Sequence, residues 1–224
     1  HVDRNEMKGK TFYTDRTRGS YLRYTLKHRT NKILSLLEQF LEKKGNKYPK
    51  KILDIGCADG LMTEEIIKHL RHNFVLGIER NTNFILPPKM NKASYLYGDG
   101  CILPMKDEVF DAIIVSACFK HIPNPKEFSQ EMLRVLKRNG IVIICEPRPY
   151  VLKFGVWVGK FQKRWLFNVW SLKEYQGFLA NIGFRTLYST YYMPPIPLGN
   201  NLESFLKKFR IHLFFLHQVG IFQK

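Results

Sequence analysis

At 224 residues and 26.5 kDa the chain has room for one sizeable domain but not for two full ones. Its 45% hydrophobic and 25% charged residues form a globular composition, and no run approaches the roughly 18–20 uncharged apolar residues of a membrane span. The net charge of +17 is uneven: residues 1–50 carry 13 basic and 5 acidic side chains, residues 51–150 carry 13 and 12, and residues 151–224 carry 10 and 2. Such basic flanks favour an anionic partner, whether a phosphorylated small molecule, a nucleic acid or a lipid surface. The first residues lack the basic-then-apolar layout of a secretory signal, so a cytoplasmic setting is expected. Cys57, Cys101, Cys118 and Cys145 lie apart from one another, with no CxxC pair and no histidine spacing of metal-site type. They read as free thiols, with no metal expected.

Taken in chain order, Ser20 to about Lys44 shows a helical apolar face through Ile33, Leu34, Leu36, Leu37, Phe40 and Leu41. The basic cluster from Lys43 to Lys51 reads as a helix end and a loop. Lys51 to Ile55 is a short apolar strand, Leu61 to Arg71 a helix, and Asn73 to Glu79 a second strand. Ser94 to Gly98 and Asp111 to Ser116 are the third and fourth strands, followed by a helix over Glu127 to Lys137 and a fifth strand over Gly140 to Glu146. This alternation predicts a parallel sheet covered by helices on both faces. Residues 150–170 are aromatic and basic, after which Ser171 and Glu174 form a capping box for a helix that stops at Gly183. Phe184 to Tyr192 and Leu213 to Phe222 are sixth and seventh strands, joined by the rigid Pro194-Pro195-Ile196-Pro197 segment.

The segment Leu53-Asp54-Ile55-Gly56-Cys57-Ala58-Asp59-Gly60 is a strand, a glycine turn and a helix start. Glycine there would let the backbone approach a ligand, although the spacing departs from the G-x-G-x-x-G dinucleotide pattern at Ala58. Glu79 closes the second strand, where a carboxylate can accept both hydroxyls of a ribose, and Asp99 closes the third, where one can accept the adenine amine. The carboxyl ends of strands in a doubly wound sheet face one crevice, so Asp54, Gly56, Glu79 and Asp99 are expected to converge.

Together with Gly98-Asp99-Gly100, Leu103-Pro104, Phe110–Ile114 and Glu131–Gly140, these motifs resemble the class I S-adenosylmethionine-dependent methyltransferases over roughly Lys51 to Glu146. The resemblance implies a Rossmann-like, doubly wound, seven-stranded α/β sheet with an antiparallel last strand. It implies one domain over 1–224, made of an N-terminal helical flank (1–50), a cofactor-binding core (51–146) and a basic, aromatic cap with the C-terminal strands (147–224). S-adenosylmethionine is the implied cofactor and S-adenosylhomocysteine the product. Asp54, Gly56, Cys57, Ala58 and Gly60 would surround the methionine part, Glu79 and Arg80 the ribose, and Asp99, Gly100 and Cys101 the adenine. Ser116 and Ala117 would border the sulfonium, and Tyr24, His28 and Arg29 are candidates for the cofactor carboxylate. His121 is the candidate base.

The segment Ser116-Ala117-Cys118-Phe119 lacks the Asn/Asp-Pro-Pro-aromatic motif of exocyclic-amine enzymes, and no Pro-Cys pair of the cytosine C5 kind is present. The expected acceptor is a small anionic molecule, such as a phosphorylated sugar, a lipid or a cell-surface precursor, methylated at O, N or C. One alternative is an RNA methyltransferase whose basic flanks hold phosphates. Another is a non-catalytic cofactor-binding scaffold or membrane-surface adaptor presenting Trp157, Trp165 and Trp170.

Overall fold

The computed structural model describes residues 20–41, 50–70, 73–84, 93–157, 163, 166–192 and 216–224. The Lys43–Lys50 loop up to its last residue, Phe161, Trp165, the proline segment at 194–197 and Leu213 lie outside these residues.

Seven strands form one sheet: β1 (Lys51–Ile55), β2 (Phe74–Glu79), β3 (Ala93–Tyr97), β4 (Phe110–Ser116), β5 (Leu136–Pro147), β6 (Arg185–Tyr192) and β7 (His217–Gln223). Their order is β3-β2-β1-β4-β5-β7-β6, with every pair parallel except those that β7 makes with β5 and β6. Seven strands, mostly parallel with an antiparallel last one, match the expectation. The sequence direction reverses between β1 and β4, and such a switch point opens a crevice at the strands' carboxyl ends.

The strands are apolar on both faces because both are covered. On one side α1 (Ser20–Leu41) and α2 (Leu61–His69) pack Ile33, Leu37, Met62 and Ile66 against Ile52, Ile114 and Ile143. On the other, α3 (Pro125–Val135) and α5 (Leu172–Ile182) set Phe128, Met132, Tyr175 and Leu179 against Leu53, Ile113, Val142 and Ile144. Fully burying each of these large side chains stabilises the fold by about 1.5–3 kcal/mol.

Local signals set the boundaries of several elements. Ser171 caps α5 through the predicted box, its hydroxyl accepting from the Glu174 amide while Glu174 accepts from the Ser171 amide at 2.6 Å. Gly183 ends the helix in the left-handed region at φ +119°. β5 begins four residues earlier than expected, at Leu136, directly after α3. A register shift between Phe110 and Ala112 and a left-handed Asn139 (φ +61°) accommodate the extra length.

The aromatic-basic run does not behave as a unit. Residues Pro149–Trp157 form a helix, α4, that the sequence reading did not anticipate. Trp170 instead packs inward, 5.7 Å from the Phe119 ring and 4.8 Å from Phe178. All four cysteines are free, Cys57 and Cys145 buried and the other two half-buried.

Candidate active site

The turn after β1 is built around the end of β2. Both the Gly56 and Cys57 amides donate to the Ile78 carbonyl, at 2.8 and 3.1 Å. The Ala58 amide then donates to Glu79 Oε2 at 2.9 Å, and the Asn81 amide to Oε1 at 2.8 Å. Glu79, buried, is thereby fixed in one orientation, with a further lone pair left on each oxygen for a hydroxyl donor. Gly56, Ala58 and Gly60 all have positive φ, at +76°, +55° and +76°. Alanine in that region costs roughly 1–2 kcal/mol, and such outliers gather where the surroundings over-determine the backbone.

At Gly56 a packing constraint adds to the one expected from the sequence. A Cβ added there would lie 2.5 Å from Cys118 Sγ, so the space is filled by the protein's own side chain rather than kept open for a ligand. Cys118 in this way locks the β1 turn to the segment after β4. Asp54 is also less open than expected: it is fully buried, and its Oδ2 accepts from the Thr63 hydroxyl at 2.6 Å, tying β1 to α2. Burial and the carboxylates of Asp54 and Glu79 push the Cys57 thiol up, which keeps it protonated.

One strand further on, Asp99 Oδ1 accepts from the Cys101 amide at 2.9 Å, while Oδ2 lies 3.4 Å from Arg80 Nε across the mouth of the crevice. Both side chains are solvent-accessible, which makes the pair weak and exchangeable. Burial and Asp99 raise the Cys101 thiol to about 11. Gly100 is packed against Phe128, 2.5 Å from where its Cβ would be, so it too serves packing. The segment following Asp99 is braced by α3: Glu131 accepts from the Leu103 amide at 2.7 Å, and Arg134 donates to the Leu103 and Met105 carbonyls.

At the end of β4, the Ser116 Oγ is buried without a hydrogen-bond partner, and Ala117 is left-handed at φ +54°. A buried cluster that the sequence reading passed over lies beyond it. Glu146, at the end of β5, accepts from the Phe119 amide at 2.7 Å and pairs with Lys120 Nζ at 3.3 Å. Lys120 also donates to the Ala117 carbonyl, and Asn168 Nδ2 donates to the Phe119 and Ile122 carbonyls. The 3₁₀ turn Phe119–His121 is clamped by these bonds, and His121 projects from it exposed to solvent. Burial lowers the Lys120 ammonium from its ordinary range.

His217, at the start of β7, pairs with Pro147 in the sheet, and its ring lies 5.7 Å from Tyr192. Its Nδ1 is buried without a partner. Burial first, then the charges of Arg29 and Lys120, keep this imidazole neutral well below its usual range. Arg29 reaches the same region from α1, and its buried Nε likewise has no hydrogen-bond partner. Its charge bears on Lys120, Cys145, Tyr192 and His217, all at the β5–β7–β6 side of the crevice. Tyr24 and His28 stack on each other, 4.3 Å between ring centroids, on the same helix.

The structure therefore joins Gly56, Ala58 and Glu79 in one bonded turn and Arg80 with Asp99 beside it. Asp54 is turned towards α2, and His121 is separated from the buried cluster. Of the residues missed, Glu146 obeys the same strand-end rule as Glu79 and could have been found by it. His217 escaped it, because the seventh strand was expected from Leu213, which hides His217 in mid-strand, whereas β7 starts at His217.

Residues 53–144 of this chain, which span the crossed part of the sheet with its strand-end acids, match the family model of a methyltransferase domain, and the likeness is to the S-adenosylmethionine-dependent methyltransferases of class I. Among curated proteins it is 28% identical over 103 residues to demethylmenaquinone methyltransferase of Thermotoga maritima, covering 45% of each chain. It is 31% identical over 119 residues to the enzyme of that name from Roseiflexus castenholzii, covering 48% of each. The matches thus span about half the length of these relatives. A solved S-adenosylmethionine-dependent methyltransferase from Archaeoglobus fulgidus superposes with a TM-score of 0.63 at 16% identity, over 92% of this chain and all of the other.

Proposed function

We propose that the chain catalyses methyl transfer from S-adenosylmethionine to a small acceptor that carries an anionic group. The observation that carries this reading is Glu79, buried and held by the Ala58 and Asn81 amides beside the glycine turn, with Asp99 one strand further along. The polar set suits an adenosyl group: a fixed carboxylate for two hydroxyls, a second for an exocyclic amine, and at the sulfonium end a Ser116 hydroxyl whose own hydrogen-bonding capacity is unused. When bound, S-adenosylmethionine supplies a methyl already activated by its positive sulfur.

What the chain then contributes is position and a dry environment. Arg29 Nε, sealed from water, is a donor in want of an acceptor, and an ionised oxygen of the substrate would satisfy it. The Lys120–Glu146 pair fixes the β4 loop that borders the methyl. An acceptor that arrives ionised needs no base, which removes the role expected for His121. His217, kept neutral beside two cations, avoids adding a third positive charge next to the sulfonium. The names of the demethylmenaquinone methyltransferases support a flat, lipid-borne ring among the acceptors to be tried first.

The test is transfer of a labelled methyl group from S-adenosylmethionine to fractionated cell extract. Label should appear in the small-molecule or lipid fraction, and transfer should fall at least about tenfold in Arg29→Met, the loss of one charge-assisted hydrogen bond. Label confined to RNA would contradict the reading.

A further inference from the structure

The helix α4 turns its apolar side outward. Tyr150, Lys153, Phe154 and Trp157 follow the i, i+3, i+4, i+7 spacing of one helical stripe, and all four are exposed. Trp157 is 81% exposed and Phe154 60%, with their rings 5.8 Å apart, whereas Leu152 on the opposite side is buried and pins the helix to the body. In a helix that only covers a core the stripe would face inward. Beside it, Phe167 is half exposed, and the Arg148 guanidinium stacks on Tyr150 at 4.9 Å and on Tyr191 at 4.3 Å. The described residues between 148 and 170 include the cations Arg148, Lys153 and Lys163 and no acid.

We propose that α4 docks the protein on an anionic lipid bilayer, lying in the headgroup region with Phe154 and Trp157 inserted. The charge complementarity is with lipid phosphates: cations without acids attract a negative surface, and amphipathic rings prefer the boundary between headgroups and acyl chains. Among the described residues no helix is long and apolar enough to cross a membrane, so the contact is with one surface. The helix follows β5 directly, and the Arg148 amide bonds the Leu216 carbonyl at 2.9 Å, just before His217. A bilayer held by α4 would therefore lie next to the acceptor side of the crevice, where a lipid-borne substrate could enter. Docking itself is independent of the methyl-transfer reading.

Co-sedimentation with vesicles tests it, using phosphatidylcholine alone or mixed with phosphatidylglycerol. The wild-type chain should bind the mixed vesicles about tenfold or more tightly than the neutral ones and be released by salt. The Phe154→Ser/Trp157→Ser variant should bind about tenfold more weakly while its affinity for S-adenosylhomocysteine stays unchanged, because both side chains stand mostly in solvent. Should that variant not fold, Lys153→Glu, which keeps every ring, should still lose about fivefold or more. Failure of the wild type to bind either vesicle, equal binding by the variants, or self-association abolished by the double variant without vesicle capture would each overturn the proposal. Loss of methyl transfer with vesicle binding intact would sink the enzymatic reading alone.

Discussion

At Gly56 two constraints coincide, a φ of +76° and a Cys118 sulfur that would sit 2.5 Å from any Cβ. Gly56→Ala should therefore cost about 2–5 kcal/mol, from left-handed strain together with overpacking, and a urea unfolding curve would show it. His217 makes a different prediction. Burial against Tyr192 first, then Arg29 from α1 and Lys120 from the 3₁₀ turn, hold its folded pKa well below 6.5. Below about pH 6.5 the unfolded chain takes up a proton that the folded one refuses, so stability is full above that pH and falls as pH drops. The contribution is at most about 1.4 kcal/mol per pH unit. Thermal melts between pH 7 and 5 should fall less steeply for His217→Gln than for wild type, and equal slopes would contradict the assignment.

Among the elements, α5 was the most legible, because its limits are written in adjacent residues: Ser171 and Glu174 at one end, Gly183 at the other. Ser171→Ala should lower stability by about 1 kcal/mol, measured by denaturant unfolding, with cofactor affinity unchanged. The strands β1, β2 and β4 were equally readable, since burial on both faces leaves a continuous apolar run. What escaped the sequence reading is non-local. The helix α4 was hidden because its exposed stripe is aromatic, contrary to the usual inward-facing pattern. The true start of β7, and with it His217, depends on register against β5 rather than on any adjacent signal. Arg29 is a candidate from its place on the N-terminal flank, but its burial near Lys120 and His217 emerges only once α1 packs on the sheet. At Gly56 the left-handed φ and the Cys118 sulfur beside it are likewise constraints that no adjacent residue signals.

Over the whole molecule, charge and sheet topology divide the labour along the carboxyl edge of the sheet. The β1–β2–β3 side holds the carboxylates Glu79 and Asp99, and the β4–β5–β7 side holds Lys120 and, from α1, Arg29; in the proposed function the first takes the adenosyl group and the second faces the acceptor. The basic, aromatic α4 flanks the latter. If Glu79 and Asp99 hold the two ends of one adenosyl group, calorimetry with S-adenosylhomocysteine will register the loss of either. Wild type should bind, and Glu79→Ala and Asp99→Ala should each bind at least about tenfold more weakly, the loss of one or more hydrogen bonds to a charged group. Unchanged affinity in both variants would contradict the account.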